Sequence, residues 1–526
     1  MNSMFSASNR EAYLQRMASQ ELDLLVIGGG ITGAGIALDA ANRGLQTGLI
    51  EMQDFAEGTS SRSTKLIHGG LRYLKQGEFN LVREVGRERE ILHRNAPHIV
   101  IPEWMLLPIV KGGTYGKFST SAGLLLYDYL AGVKRHERRQ MLSKKETLRL
   151  EPHLRKQHLI GAGYYVEYRT DDARLTIEVL KTAVEHGATA VNHVKAEQFL
   201  YEDGIVSGVI ARDCISNRTY SLCAKKIVNA AGPWVDTIRE LNRSRQGKRL
   251  HLTKGVHLVL DRARAPVGRA IYFDTPDGRM IFIIPRGDKV YLGTTDTNYD
   301  GDIGGPAVTP EDVDYLIGCA NHMFPSFRLR ASDVEARWAG LRPLIHEDGK
   351  SPSELSRKDE IIISDSNLIS IAGGKLTGFR KMAERVVDVA CAQLSRETGR
   401  SFSACSTDQV PLSGGRIDRG RSYDDCRDQW IAYGEACGIP YAQSRHIIGI
   451  YGSNSPLIFD EAKNCAQEAA EHAIAPALYA SLRYSARHEM AVDADDYLNR
   501  RTGYAYFDIA KYREMYPLVS NLLNRS

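Results

Sequence analysis

Apolar and polar positions along this chain alternate between strand-like and helix-like spacing up to about residue 400, and settle into helical spacing beyond it. Leu22 to Ile27 (LDLLVI) is a short apolar run with the look of a buried strand. GGGITG follows, then a helical stretch AGIALDAANRG, then a second strand-like run, QTGLI, that ends in Glu51. A second strand-turn-helix unit occurs at KKIVNAAGPWVDTIREL, and a third at LISIA, GGK and LTGFRKMAERVVDVACAQL. Between these units, residues 95–160 and 245–335 alternate short strand-like runs (GVHLVL, AIYF, MIFIIP, VYLGTTD) with turn residues, which predicts an antiparallel sheet layer. From residue 401 the runs LIFDEAKNCAQEAAEHA, APALYASLRYSARHEMA and DADDYLNRRT predict a separate helical domain. The expected fold class is therefore α/β, with a discontinuous nucleotide-binding domain (20–95, 160–245 and 336–400), an inserted sheet domain (96–159 and 246–335) and a helical domain (401–526).

The opening unit carries chemistry as well as structure. In a βαβ turn of this kind Gly28 makes the tight turn, Gly30 lets the backbone approach a pyrophosphate, and Gly33 packs helix on strand. Glu51, at the end of the second strand, is placed to accept two ribose hydroxyls. The next segment, EGTSSRSTKLIHGGLRYL, is polar and rich in groups able to hold pyrophosphate and approach a ring. Strand-to-turn units at the start, middle and later part of the chain fit FAD better than NAD, because a long dinucleotide needs contacts at both ends. The Gly-Gly-Lys turn at 373–375 is not a Walker A loop, since Ile369 and Leu376 stand where that motif requires Gly and Ser or Thr. No second dinucleotide fingerprint is visible, because GAGYYV has Val166 where Gly or Ala is needed.

Composition narrows the partners. The 526 residues are 43% hydrophobic, and 68 basic against 64 acidic side chains leave a net charge of +4, too small to imply nucleic-acid binding. The eight cysteines form no CxxC pair and no cluster with histidine, which predicts no metal site and reduced thiols in a cytoplasmic setting. No secretory signal and no apolar run of membrane-spanning length is present. SAGLLLYDYLAGVKRHERRQMLSKK joins an apolar stretch to Lys134, Arg135, Arg138, Arg139, Lys144 and Lys145, a pattern suited equally to a core-packed helix with a solvated basic end and to contact with anionic lipid.

TSSRSTKLIHGGLRYL, TDDARL, NAAGPW, GTTDT, AGLRP, GGKLT and YGSNSPL, in that order and spacing, resemble the FAD-dependent glycerol-3-phosphate dehydrogenases, membrane-associated flavoenzymes that pass electrons to quinone. The resemblance implies a glutathione-reductase-like FAD-binding domain, a substrate domain capped over the flavin and a C-terminal helical domain. It implies oxidation of sn-glycerol 3-phosphate to dihydroxyacetone phosphate by hydride transfer from C2 to flavin N5, a membrane quinone as acceptor, and a location at the inner face of the cell membrane. Expected FAD contacts, beyond Gly28, Gly30, Gly33 and Glu51, are Ser60, Ser61, Lys65, Leu66, Ile67, His68, Gly69, Val194, Ala231, Gly232, Gly374, Lys375 and Thr377. Arg72, Arg342 and Arg357 are the expected phosphate grip, guanidinium forks being suited to paired charge-assisted hydrogen bonds. His257 and His68 are candidates for the base, Tyr73 for holding the hydroxyl, and Lys375 for stabilising negative charge on the reduced flavin or reaching the substrate. Asp359 stands where the family often has a histidine, so it receives no catalytic role. A homodimer is a candidate assembly. A glycerophosphate oxidase, an amine oxidase of the same fold and a non-catalytic flavin sensor are the competing readings.

Overall fold

The computed structural model describes residues 5–68, 78–113, 116–130, 132, 137–346 and 358–523, with the backbone alone for 117–119. Among these residues the strands form two sheets, of eight and ten strands. The first has a parallel centre. Strand Leu22–Ile27 lies between Thr219–Asn229 and Thr47–Ile50, in register Leu25 with Ile227 on one side and Gly48 on the other. Thr189–Val191 extends one edge, and Ile369–Gly373 followed by the antiparallel Asp359–Ile363 extends the other. All six residues of Leu22–Ile27 are buried, which is why the run is continuous rather than alternating.

The helix Ile31–Asn42 follows at once and is nearly all small or aliphatic on its buried faces. Gly35 decides how closely it packs, since a Cβ there would lie 2.8 Å from Phe379 Cδ2. Helices Asp172–Glu185 and Phe379–Thr398 contribute Leu175, Val179, Val386 and Val387 to the same core. The second sheet is dominated by the long antiparallel pair Leu250–Asp261 and Val334–Ile345, in which Thr253 faces Arg342 and His257 faces Trp338. Its outer face is covered by helix Pro310–Met323, which opens with a Thr309–Asp312 capping box.

Two expected boundaries shift. Leu159–Arg169, placed by the pattern in the nucleotide-binding segment 160–245, instead pairs with Ile101–Val110 in the second sheet, from Ile101 with Arg169 to Val110 with Leu159. Val334–Ile345, most of which fell in the segment 336–400, also joins that sheet. An alternating run reads the same whichever sheet it enters, so the partner decides membership. GAGYYV accordingly lies inside a strand, with no turn for a nucleotide.

The helices from Tyr423 onward enclose their own core around Ile448, Ile458, Phe459, Ala480 and Tyr497. The run LIFDEAKNCAQEAAEHA breaks at Cys465 into Ser455–Asn464 and Ala466–Glu471. Buried ion pairs tie this region to a helix and a loop of the first sheet's domain: Arg174 of helix Asp172–Glu185 donates to Glu489 Oε2 at 3.0 Å, and Arg501 to Oδ1 of Asp54, in the loop after Thr47–Ile50, at 3.0 Å. All eight cysteines are free thiols.

Candidate active site

The glycine turn is shaped by what its glycines exclude. Gly28 sits at φ +115 and a Cβ on it would lie 2.6 Å from Ala230 O, while a Cβ on Gly33 would stand 1.9 Å from Gly28 O. Gly30 is the N-cap of helix Ile31–Asn42, and the Ile31 amide donates to Ser60 Oγ at 2.9 Å. Glu51 accepts the Gly29 amide at 2.6 Å and the Gln53 amide at 2.9 Å; burial pushes its pKa up while these amides oppose the shift. A cavity of about 630 Å³ begins here and runs past Val194, Ala231 and Gly232 to Gly374 and Lys375. Its size suits a cofactor, and the bare glycine backbone at one end leaves room for a pyrophosphate.

At the far end Gly373 and Gly374 take φ of +76 and +84. A Cβ would lie 2.6 Å from Lys358 O at the first and 2.4 Å from Met382 Sδ at the second, so only glycine fits. Thr377 clasps this turn to the neighbouring segment, accepting the His68 amide at 3.1 Å and donating to His68 O at 3.3 Å. Beside it opens a second cavity of about 150 Å³, bordered by Thr64, His68, His257, Arg342 and Thr377, which shares Gly374, Lys375 and Leu376 with the larger one.

Two side chains in the small cavity are strongly determined. Arg342 donates to Asp296 Oδ1 and Thr294 Oγ1, both at 3.0 Å, and to the Thr295 carbonyl at 3.3 Å. His257 is buried, stacks on Trp338 with ring centroids 4.8 Å apart, and places Nε2 3.0 Å from Thr64 Oγ1. Burial, reinforced by Arg342 and Lys65, holds its pKa well below the ordinary histidine value, so it is neutral at physiological pH.

Comparison with known proteins converges on one group. Residues 23–379 match the FAD dependent oxidoreductase family model, and residues 405–526 match the C-terminal domain of alpha-glycerophosphate oxidase. The chain is 53% identical over 509 residues to an aerobic glycerol-3-phosphate dehydrogenase of Bacillus subtilis (strain 168), covering 97% of this chain and 92% of that one. It is 52% identical to the protein of the same name from Staphylococcus aureus (strain USA300), covering 99% and 94%. The solved glycerol-3-phosphate dehydrogenase from Bacillus halodurans, complexed with FAD, superposes with a TM-score of 0.86 at 47% identity, over 99% of this chain and 94% of that one. The chain belongs to the FAD-dependent glycerol-3-phosphate dehydrogenase family. A more distant L-alpha-glycerophosphate oxidase from Mycoplasma pneumoniae, 17% identical with a TM-score of 0.58 over 73% of this chain and 96% of that one, shares the fold.

FAD is the cofactor of this dehydrogenase family member. Of the residues expected to hold it, Gly28, Gly30, Glu51, Ser60, Val194, Ala231, Gly232, Gly374 and Lys375 border the large cavity, and Leu66, His68 and Thr377 border the small one. Gly33 serves the turn's packing instead. Ser61 and Ile67 are buried outside both cavities. Lys65 corrects the expectation most clearly. Its ammonium lines neither cavity and is buried in an ion pair with Asp172 Oδ1 at 2.5 Å, with Ser61 O accepting at 3.0 Å. An amphipathic lysine in a loop gives no sign of which way it points until the loop is packed. Gly69, Arg72, Tyr73 and Arg357 lie outside the described residues. Sequence reasoning missed the roles of Asp296 and Thr294 as holders of Arg342, although both sit in the GTTDT motif, and missed Trp338 behind His257.

Proposed function

We propose that this protein oxidises sn-glycerol 3-phosphate to dihydroxyacetone phosphate and passes the electrons to a membrane quinone. The small cavity carries the reading: a compact space with a fixed guanidinium and His257 on its walls shares Gly374 to Leu376 with the cofactor cavity. The names of relatives at 52% and 53% identity support the substrate. Bound FAD supplies the two-electron acceptor for the hydride that leaves C2. Arg342, whose partners lock its plane, binds the phosphate through charge-assisted hydrogen bonds. His257, buried at the wall of the small cavity and held neutral, accepts the C2 hydroxyl proton. Lys375, bordering both cavities, adds positive charge where substrate and cofactor meet. Arg72 and Arg357 complete the phosphate grip and Tyr73 steadies the hydroxyl.

Peripheral membrane contact is part of the same proposal. Among the described residues no helix is long and apolar enough to cross a membrane. Helix Lys117–Leu130 buries Leu124 and Tyr127 yet leaves Leu125 59% and Tyr129 81% exposed, and Lys144 and Lys145, later in the chain, are exposed as well. Apolar side chains beside basic ones are the arrangement that seats a helix on an anionic lipid surface.

The deciding experiment is anaerobic. Adding sn-glycerol 3-phosphate to the yellow protein bleaches the flavin band at about 450 nm, and a quinone analogue restores it. No bleaching defeats the substrate assignment. The match of residues 405–526 to the oxidase C-terminal domain favours one second reading, in which oxygen is the acceptor. Peroxide formed in proportion to substrate in air would establish it in place of quinone.

A further inference from the structure

The C-terminal helical region reaches the reaction site through two rings. Its approach is anchored at Arg501, which is fully buried and donates to Asp54 Oδ1 at 3.0 Å and Glu489 O at 2.7 Å. Gly503, at φ +73, then turns the backbone through the left-handed region, and the short helix Tyr504–Phe507 follows. Tyr506 and Phe507 leave the helical core and pack on the second sheet. Both meet Trp338 edge to face, with centroids at 5.3 Å and 5.8 Å. Phe507 also meets Tyr291 at 5.8 Å and lies under the Arg286 guanidinium at 4.1 Å.

Trp338 passes this contact on. It is stacked on His257 with only 12° between the ring planes, and His257 is a wall of the small cavity. The same cluster fixes the neighbouring wall: Trp338 Nε1 donates to Ser63 O at 3.3 Å and the Tyr291 hydroxyl donates to Thr64 O at 3.1 Å. Lys65, next in that segment, has its ammonium 4.9 Å from the Tyr506 ring. Ser63 and Thr64 border the small cavity, and Thr64 Oγ1 is the hydrogen-bond partner of His257 Nε2.

We propose that Tyr506 and Phe507 are positioning residues for the dehydrogenation, pressing Trp338 against His257 and bracing residues 63–65, so that the C-terminal region is a working part of the reaction site. The proposal rests on the substrate reading given above. Neither ring borders the large or the small cavity; both act through Trp338. Removing a ring leaves a void behind the indole, which tilts, and the imidazole stacked on it follows. Water then reaches His257, and the burial that lowers its pKa beside Arg342, Lys65 and Tyr291 is relieved.

The test uses full-length, FAD-loaded Tyr506→Leu and Phe507→Leu, with the ring-keeping Tyr506→Phe and Phe507→Tyr as rescues. Anaerobic flavin reduction by sn-glycerol 3-phosphate is followed by stopped flow across a range of pH, with FAD content measured in parallel. The Leu variants are expected to keep FAD and to be reduced ~10-fold more slowly or worse at saturating substrate. Their acid limb moves to higher pH, because a hydrated His257 protonates sooner and loses its neutral form, and the ring-keeping variants restore rate and profile. Leu variants that hold FAD and match the parent in rate and pH profile overturn the positioning role while leaving the substrate reading intact. A parent protein that sn-glycerol 3-phosphate does not reduce overturns both. If a Leu variant does not retain FAD, Trp338→Phe decides: it keeps a ring on His257 but loses the bond to Ser63 and the reach to Tyr506 and Phe507, so a parental rate and profile in it refute the proposal.

Discussion

Gly255→Ala tests the geometry of the phosphate grip without removing any charge. Gly255 faces Gly340 across the long strand pair, and Arg342 lies two residues further along the same face. A Cβ on Gly255 would lie 2.4 Å from Arg342 Nη2 and 2.5 Å from Thr294 Oγ1. Carbon and nitrogen in ordinary contact stand roughly 3.5 Å apart, so the guanidinium must retreat by about 1 Å. The displaced atom is the tip of a flexible side chain, so the cost to folding is small. The cost to function is not, because Nη2 donates to Thr294 Oγ1 and Nη1 to Asp296, and the new methyl group breaks that alignment. A misplacement of this size at a positioning group lowers kcat/KM by about 100-fold, or ~2.7 kcal/mol of transition-state stabilisation. The assay is steady-state oxidation of sn-glycerol 3-phosphate with an artificial electron acceptor, with FAD per chain and melting temperature as controls. Arg342→Ala, which removes the fork outright, should show a strongly raised KM with FAD still bound. A Gly255→Ala protein with full FAD and kcat/KM within about twofold of the parent, against the 100-fold expected, would refute the placement of Arg342 at the phosphate.

Three further outcomes are expected. Gly30→Val should yield protein without flavin, since its Cβ starts 3.1 Å from Ser60 Oγ and its methyl groups occupy the pyrophosphate approach; a fully yellow variant removes the cofactor from this turn. Lys65→Met leaves the Asp172 carboxylate, fully buried, without its cation, which costs on the order of 3–5 kcal/mol; an unchanged thermal melt contradicts the buried-pair reading. Glu489 sets an acid limb of stability: burial alone would raise its pKa, but Arg174 and Lys181 outweigh this and hold it at about 2. Because the folded value is depressed, the stabilisation is complete above the unfolded carboxyl value of about 4.3 and fades as pH falls toward the folded one. Glu489→Gln should therefore lose stability at neutral pH and show a flatter decline below about pH 4; denaturant melts that keep the parental acid slope count against it.

Local signals proved sufficient where neighbours in sequence are neighbours in space. The turn at Gly28 to Gly33, the carboxylate of Glu51 and the paired left-handed glycines at 373 and 374 all appear where spacing placed them, because a tight turn is a property of a few consecutive residues. The C-terminal helices likewise follow from 3.6-residue periodicity, apart from the break at Cys465. Charged side chains were less legible. Arg342, expected at the phosphate, borders the small cavity, whereas Lys65, expected at the cofactor, turns inward to Asp172, a residue more than a hundred positions away.

The sequence by itself determined that this chain carries a dinucleotide-binding βαβ unit, two further strand-turn units and a helical C-terminal part, since hydrophobic period, glycine placement and turn chemistry are written in short windows. Only the tertiary structure decided that Leu159–Arg169 and Val334–Ile345 belong to the second sheet, that Asp296 and Thr294 hold Arg342, and that Tyr506 and Phe507 stand behind Trp338 and His257. These are choices among distant partners, and a strand edge, a guanidinium or an aromatic face offers the same chemistry to many of them until packing brings one within reach.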